Sequence, residues 1–223
     1  MLHFERCTQR GRDAISVCID HLIVAGWTGR DVPAIEHHIE ELAALGVPRP
    51  STTPLFYRLS TGLLTQTDSL QALGPDSSGE VEPVLVSLAD GLWVGIGSDH
   101  TDRKAEAVGV ALSKQMCGKV VGRQLWRFDE LVGHWDSLIL RSWVTEDGTR
   151  TLYQEGTLAA MRRPEDLIDR AGGIAAGSLM FCGTLGAIGG VRPAARFDMM
   201  LEDPVLQRSL QWGYSIEVLP VVS

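Results

Sequence analysis

Apolar residues in this chain come in short runs that end at turn formers, and that pattern restricts the fold class more than any other feature. The sharpest case is Glu80 to Leu88 followed by Leu92 to Ile96, with Ala89-Asp90-Gly91 between them. Short Val- and Leu-rich runs flanking an Asp-Gly read as the two arms of a β-hairpin. Ile15 to Ala25 reads as one or two strands, and Leu179 to Cys182 and Tyr214 to Leu219 as strand-like pieces. Ser137 to Val144 and Thr149 to Gln154 form another strand pair around the turn Glu146-Asp147-Gly148. Helical spacing is clearest at Ala34 to Leu45, where Ile35, Ile39 and Leu42 recur. Asp31 and Pro33 supply its start, and Gly46 and Pro48 its stop. Arg103 to Lys114 is read as a helix despite Gly109, and Leu158 to Arg170 as a helix interrupted near Pro164. The proline-rich Pro48 to Pro54 is a loop. Many short strands with few long helices, and 24 Gly to serve their turns, favour a β-rich α+β fold over a doubly wound one. The 223 residues suffice for one core, so we expect a single domain over 1–223 in which 1–30 form a small N-terminal strand segment.

Charge narrows the classes of partner. The net charge is −8 and Lys and Arg form no run, which argues against a nucleic-acid partner. Trp93, Trp126, Trp135, Trp143 and Trp212 are scattered without basic residues between them and read as core or pocket walls. No charge-free apolar stretch reaches the ~18 residues of a membrane span. Met1 to Arg10 lacks the basic-then-apolar order of a secretory leader. Cys7, Cys18, Cys117 and Cys182 form no C-x-x-C pair, which suits free thiols in a reducing compartment, and the cytoplasm is the expected location. An acidic protein that binds an acidic metabolite must reverse its field locally, and a bound cation does this directly.

Several side chains are candidates for such a site. Glu80 and Glu82 lie two apart in a strand and therefore share a face, where hard oxygen ligands suit Mg²⁺ or Mn²⁺. Asp99 follows the next apolar run and is a third carboxylate, with His100 and Asp102 as rivals. Lys114 can stabilise a developing enolate or oxyanion beside a metal-bound acid, and Lys119 competes for that role. On the helix, His38 and Glu41 are three apart and form a candidate water-activating pair, with His37 and Glu41 as the alternative spacing. His134, in His134-Trp135-Asp136, is a secondary candidate. Taken singly, each of these residues also fits a bland role as solvated surface or helix cap.

The order of these features resembles the fumarylacetoacetate hydrolase-like superfamily, in a divergent branch, from about Trp27 to Pro220. The resemblance rests on His38 and Glu41 before PRPSTTPLF, on Glu80-Val81-Glu82, on SDHTDR, and on Lys114 in SKQMC. It continues with Gln154 in DGTRTLYQEG and with AGSLMFCGTLGAIGG, which is similar to the family's Gly-Thr-Pro loop. Ser98, Ser178 and Leu185 depart from the family's Asn, Asp and Pro.

The resemblance implies a single catalytic domain with a twisted β-roll or sandwich-like core, usually in a homodimer. It implies Mg²⁺ or Mn²⁺ on Glu80, Glu82 and Asp99, the last selected over Asp102. Catalysis would fall to His38, Glu41 and Lys114, and substrate contacts to Arg103, Gln154, Gly183 and Thr184. The expected ligand is a small carboxylate-bearing metabolite, and the leading activity is hydrolysis of a carbon–carbon bond in a 1,3-dicarbonyl or acylpyruvate-like acid. Decarboxylation, hydration or isomerisation of a 2-oxo acid is the alternative, and a third is a metabolite-binding homolog without turnover.

Overall fold

The computed structural model describes residues 1–44 and 48–222, with the side chains of His38, Glu41 and Leu42 outside that description. The chain opens with a hairpin, β1 (Leu2–Thr8) and β2 (Gly11–Val17), followed by β3 (His21–Gly26) and helix α1 (Val32–Ala44). Asp31 caps α1 by accepting from the Ala34 N–H at 3.1 Å, as the sequence led us to expect. The stop assigned to Gly46 lies outside the described residues. Next come β4 (Leu55–Leu59), β5 (Leu64–Thr65), β6 (Ser69–Leu73) and β7 (Ser77–Ser78). The long hairpin β8 (Val81–Leu88) and β9 (Gly91–Ser98) leads through β10 (Thr101–Asp102) into α2 (Arg103–Glu106) and α3 (Val110–Gln115). The remainder comprises β11 (Lys119–Val121), β12 (Gln124–Arg127), β13 (Ile139–Glu146), β14 (Thr149–Thr157), α4 (Pro164–Arg170), β15 (Ser178–Phe181), β16 (Arg196–Asp203) and β17 (Arg208–Leu219).

Among the described residues these strands form a ten-stranded mixed sheet, a five-stranded sheet and a small two-stranded one. The large sheet runs β2-β1-β12-β9-β8-β15-β3-β4, with β11 and β5 joined beside β9. The smaller sheet runs β14-β13-β16-β17-β6. One core lies between them, where Ile23, Leu85 and Val94 join Leu140, Phe197 and Tyr214. A second core occupies the other face of the large sheet and draws Leu2 and Phe4 from one end and Val24 and Leu59 from the other, so the sheet curls around it. Strand β8 feeds both cores, which explains a nearly continuous apolar run where a half-exposed strand would alternate. The result is the β-rich α+β roll expected from the sequence.

The N-terminal strands join the main sheet, where β1 pairs in parallel with β12. Several expectations are corrected. Arg103 to Lys114 is two short helices, because Gly109 takes an extended conformation between them. Pro164 does not interrupt a helix but starts one, where its missing N–H and fixed φ cost nothing. The β8–β9 turn is shorter than expected, because Gly91 already belongs to β9 at φ 125°. Strand β16 was not foreseen: its alternation of buried Phe197, Met199 and Leu201 with the more exposed Asp198, Met200 and Glu202 is plain only once both neighbours are in place.

Proline inside a strand normally marks an edge, yet β8, which holds Pro83, is central, between β9 and β15. The Pro83 carbonyl accepts from Cys182 N, so the residue's absent N–H points to the β15 side. There the ladder has already ended at Phe181 and the chain turns away at Gly183. Val81, two residues earlier and facing the same side, is satisfied by side chains: its N–H donates to Gln154 Oε1 and its carbonyl accepts from Thr184 Oγ1.

Candidate metal centre and its pocket

The hairpin solves the problem of bringing three carboxylates together. Glu82 pairs with Gly97 across β8 and β9, and the Asp99 N–H donates to the Glu80 carbonyl just beyond the strand ends. A side chain at Gly97 would put its Cβ 2.7 Å from Phe181 Cε1, so glycine keeps this approach open. The outcome is a cluster in which one oxygen each from Glu80, Glu82 and Asp99 lies within 4.8 Å of the others.

Three cations face the cluster. Lys114 Nζ bonds Asp99 Oδ2 and lies 3.3 Å from Glu80 Oε2. Lys119 Nζ stands 2.9 Å from Asp99 Oδ1 and also bonds the His100 carbonyl. Arg103 Nη2 lies 3.1 Å from Glu80 Oε1. Burial alone would raise the Asp99 pKa, but Lys114 and Lys119 outweigh it and hold the group at about 2. Glu80 is likewise lowered, because Arg103 and Lys114 overcome its burial. Glu82 goes the other way: burial, then Asp99 and Glu80, push it well above the carboxylate range, although it accepts from the Gly183 N–H at 2.6 Å. Lys114 is raised despite burial by Asp99, Glu80 and Glu82.

This donor set fits a hard divalent cation. It is all carboxylate oxygen, and Glu82 has no side-chain cation of its own among the described residues. Asp99 Oδ1 is buried without a hydrogen bond of acceptable geometry, even with Lys119 beside it. A positive charge between the carboxylates would relieve both conditions.

The other expected residues fall into three groups. Arg103 and Thr184 line the same cavity as Glu80, Glu82 and Lys114, as do Gln154 and Gly183. Gln154 acts there as a strut: it accepts from Val81 N and Ser142 Oγ, and donates to Thr184 Oγ1 and the Leu185 carbonyl. Asp102 caps α2 at Ala105 N and takes no part in the cluster, as its rivalry with Asp99 allowed. His100 is buried beside the site with its ring nitrogens 2.9 Å from Tyr214 Oη and 2.8 Å from Ser77 Oγ. Burial, with Lys119 and Arg103 nearby, lowers its pKa to about 3, so the ring is neutral. His134 is not part of the cavity wall and pairs with Asp203 at 2.9 Å. The side chains of His38 and Glu41 lie outside the described residues; Ala34 and Ile35, one turn earlier on α1, line the cavity.

The cavity has a volume of about 770 Å³. Sequence reasoning missed Trp27, Tyr57 and Glu106 on its wall. Trp27 sits at φ 61°, a conformation uncommon for a bulky residue, and its Nε1 donates to Tyr57 Oη at 3.4 Å. No periodicity marks such a residue, since its role depends on a loop between β3 and α1. Glu106 was hidden inside what read as one continuous helix.

A family model described as "Protein of unknown function (DUF2848)" matches residues 25–214. No curated protein matches the chain. Among solved structures, one of Cg1458 with inhibitor is similar at TM-score 0.64 and 15% identity, covering 95% of this chain and 81% of the other. A 2-keto-3-deoxyarabinonate dehydratase is similar at TM-score 0.68 and 15% identity, covering 91% and 75%. The corresponding 2-keto-3-deoxy-D-arabinonate dehydratase complexed with magnesium and 2,5-dioxopentanoate gives TM-score 0.65 and 14% identity, with 91% and 74% covered. At 15% identity or less, the likeness to these structures is one of fold.

Proposed function

The chain belongs to the family of unknown function DUF2848, and from its site we propose that it is a divalent-cation-dependent enzyme acting on a small 2-oxo acid at a bond beside the carbonyl. The observation that carries this reading is the largely buried Glu80–Glu82–Asp99 cluster with Lys114 on its rim, opening into a cavity of about 770 Å³. Mg²⁺ or Mn²⁺ held by those three carboxylates would supply Lewis acidity and a docking point for the substrate's adjacent oxygens. Arg103 holds Glu80 in place, and the Gly183 N–H holds Glu82. Lys114 provides positive charge where an enolate develops.

The preferred reaction is hydrolysis of a carbon–carbon bond in an acylpyruvate-like acid. His38, oriented by Glu41, takes a proton from water as its oxygen bonds to the distal carbonyl carbon. The carbon–carbon bond then breaks, its electron pair passes to the enolate of the 2-oxo acid, and a proton returns to that carbon. A lyase reading, in which water or carbon dioxide is eliminated without attack by activated water, is favoured by the fold likeness to a magnesium-complexed dehydratase. A metabolite-binding homolog without turnover remains the third reading. The proposed setting is a cytoplasmic homodimer, which size-exclusion chromatography with light scattering tests for the oligomer.

The decisive experiment incubates the protein with acylpyruvates, oxaloacetate and 2-keto-3-deoxy sugar acids, with and without Mg²⁺ or Mn²⁺, and identifies products. Metal-dependent cleavage to two acids, lost in His38→Ala, supports the hydrolase. Metal-dependent elimination that survives His38→Ala supports the lyase. Absence of turnover across the panel from a folded, cation-bound protein supports the binding homolog.

A further inference from the structure

The cavity beyond the carboxylates has an unequal character that bears on which 2-oxo acid it takes. Among the described residues on its wall are the carboxylates Asp31, Glu80, Glu82 and Glu106 and the cations Arg103 and Lys114. Both cations are committed. Arg103 Nε donates to Ser78 Oγ at 2.7 Å, Nη1 lies 3.2 Å from Glu106 Oε1, and Nη2, buried and without a hydrogen bond of acceptable geometry, is ion-paired with Glu80 at 3.1 Å. Lys114 is held by Asp99 and Glu80. The donors of Gln154 and the Thr184 hydroxyl are also engaged, with the Thr184 and Leu185 oxygens and with the Val81 carbonyl respectively. The rest of the wall is mostly aliphatic, aromatic and glycine, including Ile35, Val110, Met161, Leu185 and Val191, with hydroxyls on Thr28, Tyr57 and Tyr153.

Charge and desolvation then act in the same direction. A divalent cation would balance the excess of wall carboxylates and accept one 2-oxo carboxylate. A second carboxylate on the substrate's tail would be buried beside Glu106 without a free cation, which is costly. A polyhydroxylated tail would give up more hydrogen bonds to water than the few wall hydroxyls could replace. An alkyl or aryl tail would gain by leaving water.

We propose that the site selects 2-oxo monocarboxylic acids with an apolar tail, and that Glu106, by holding Nη1 of Arg103 with both its oxygens, is the residue that excludes diacids. This rests on the reading that the site takes a cation-bound 2-oxo acid. Glu106 acts through Arg103: it determines specificity by denying Nη1 of that guanidinium to the substrate.

The test measures binding to the full-length protein in Mg²⁺ by calorimetry, using pyruvate, 2-oxohexanoate and 2-oxoadipate as probes. 2-Oxohexanoate is expected to bind about tenfold or more tighter than pyruvate, since each buried methylene is worth about fourfold in affinity. 2-Oxoadipate is expected to bind about tenfold weaker than 2-oxohexanoate, with Glu106→Gln narrowing that gap about fivefold or more. Val110→Lys, which adds a cation to the apolar wall, is expected to narrow it too and serves if Glu106→Gln does not fold. Magnesium-dependent binding in which 2-oxoadipate equals or exceeds 2-oxohexanoate overturns the selectivity while leaving the proposed function standing. A gap left unchanged by a folded Glu106→Gln overturns the assignment to Glu106. If no probe binds in a magnesium-dependent way, the proposed function falls and this inference falls with it.

Discussion

Glu82 concentrates the electrostatic tension of the site. Its pKa is pushed up by burial and by Asp99 and Glu80, while Lys114 and the Gly183 N–H only partly offset them. A cation bound there would supply the positive charge that these partners do not. Glu82→Gln keeps the shape and the contact with Gly183 but removes the charge. It is expected to weaken Mn²⁺ binding by about tenfold or more, an effect of about 1.4 kcal/mol or more, read by titration calorimetry. An unchanged affinity would remove Glu82 from the ligand set. Gly183 is constrained in another way: its φ is 101°, and a Cβ there would lie 1.7 Å from Thr28 Oγ1. Gly183→Ala is expected to cost about 2 kcal/mol or more in urea unfolding, from backbone strain and overpacking together. The thiols give a third expectation. Cys7, Cys117 and Cys182 are buried and their pKa values are raised by burial, Cys117 to about 11, whereas Cys18 is exposed. A raised pKa leaves less thiolate at pH 8, so iodoacetamide on the native protein should label Cys18 alone, as peptide mass spectrometry would show.

At the scale of elements, the site depends on how β8 ends. The ladder to β15 stops at Phe181, and Gln154 from β14 replaces the missing partners by bonding Val81 N and the Thr184–Leu185 segment. Gln154→Leu would leave the Val81 N–H and the Leu185 carbonyl without these partners inside the protein. The expected loss is about 2 kcal/mol of stability, measured by chemical denaturation, together with faster hydrogen exchange at Val81. A neutral result would mean that water or a shifted side chain takes over the bonds. The hairpin β8–β9 was readable from its Asp-Gly turn and flanking apolar runs, and α1 from its spacing and its Asp31 cap. Strand β16 and the break at Gly109 were not, because β16 draws its identity from β13 and β17 on either side. Gly109 is compatible with either a continuous or a broken helix until α2 and α3 are packed.

For the whole molecule, the carboxylate cluster lies where the large sheet meets α2, α3 and the loop after β15, so a cation there would tie together segments far apart in the chain. A ligand that binds only the folded state at about a hundred times its Kd adds about 2.7 kcal/mol of stability. Mg²⁺ or Mn²⁺ is therefore expected to raise the melting temperature by several degrees, with EDTA reversing the rise. A melting temperature indifferent to both would count against a cation site. Among the described residues, no helix is long and apolar enough to cross a membrane.

The amino-acid sequence by itself determined the β-rich class, the E-x-E pair on one strand face, the candidacy of Asp99 and the cap of α1, since each depends on neighbours within a few residues. The family resemblance had selected Asp99 over Asp102, but only the tertiary structure gives the reason: Asp99 stands with Glu80 and Glu82, while Asp102 is spent capping α2. It likewise decided that Lys114 and Lys119 share Asp99, and that Arg103 is held by Glu106, Ser78 and Glu80. Charges separated along the chain acquire their meaning from distance in space, and that distance is set by how the sheet curls and where its ladders end.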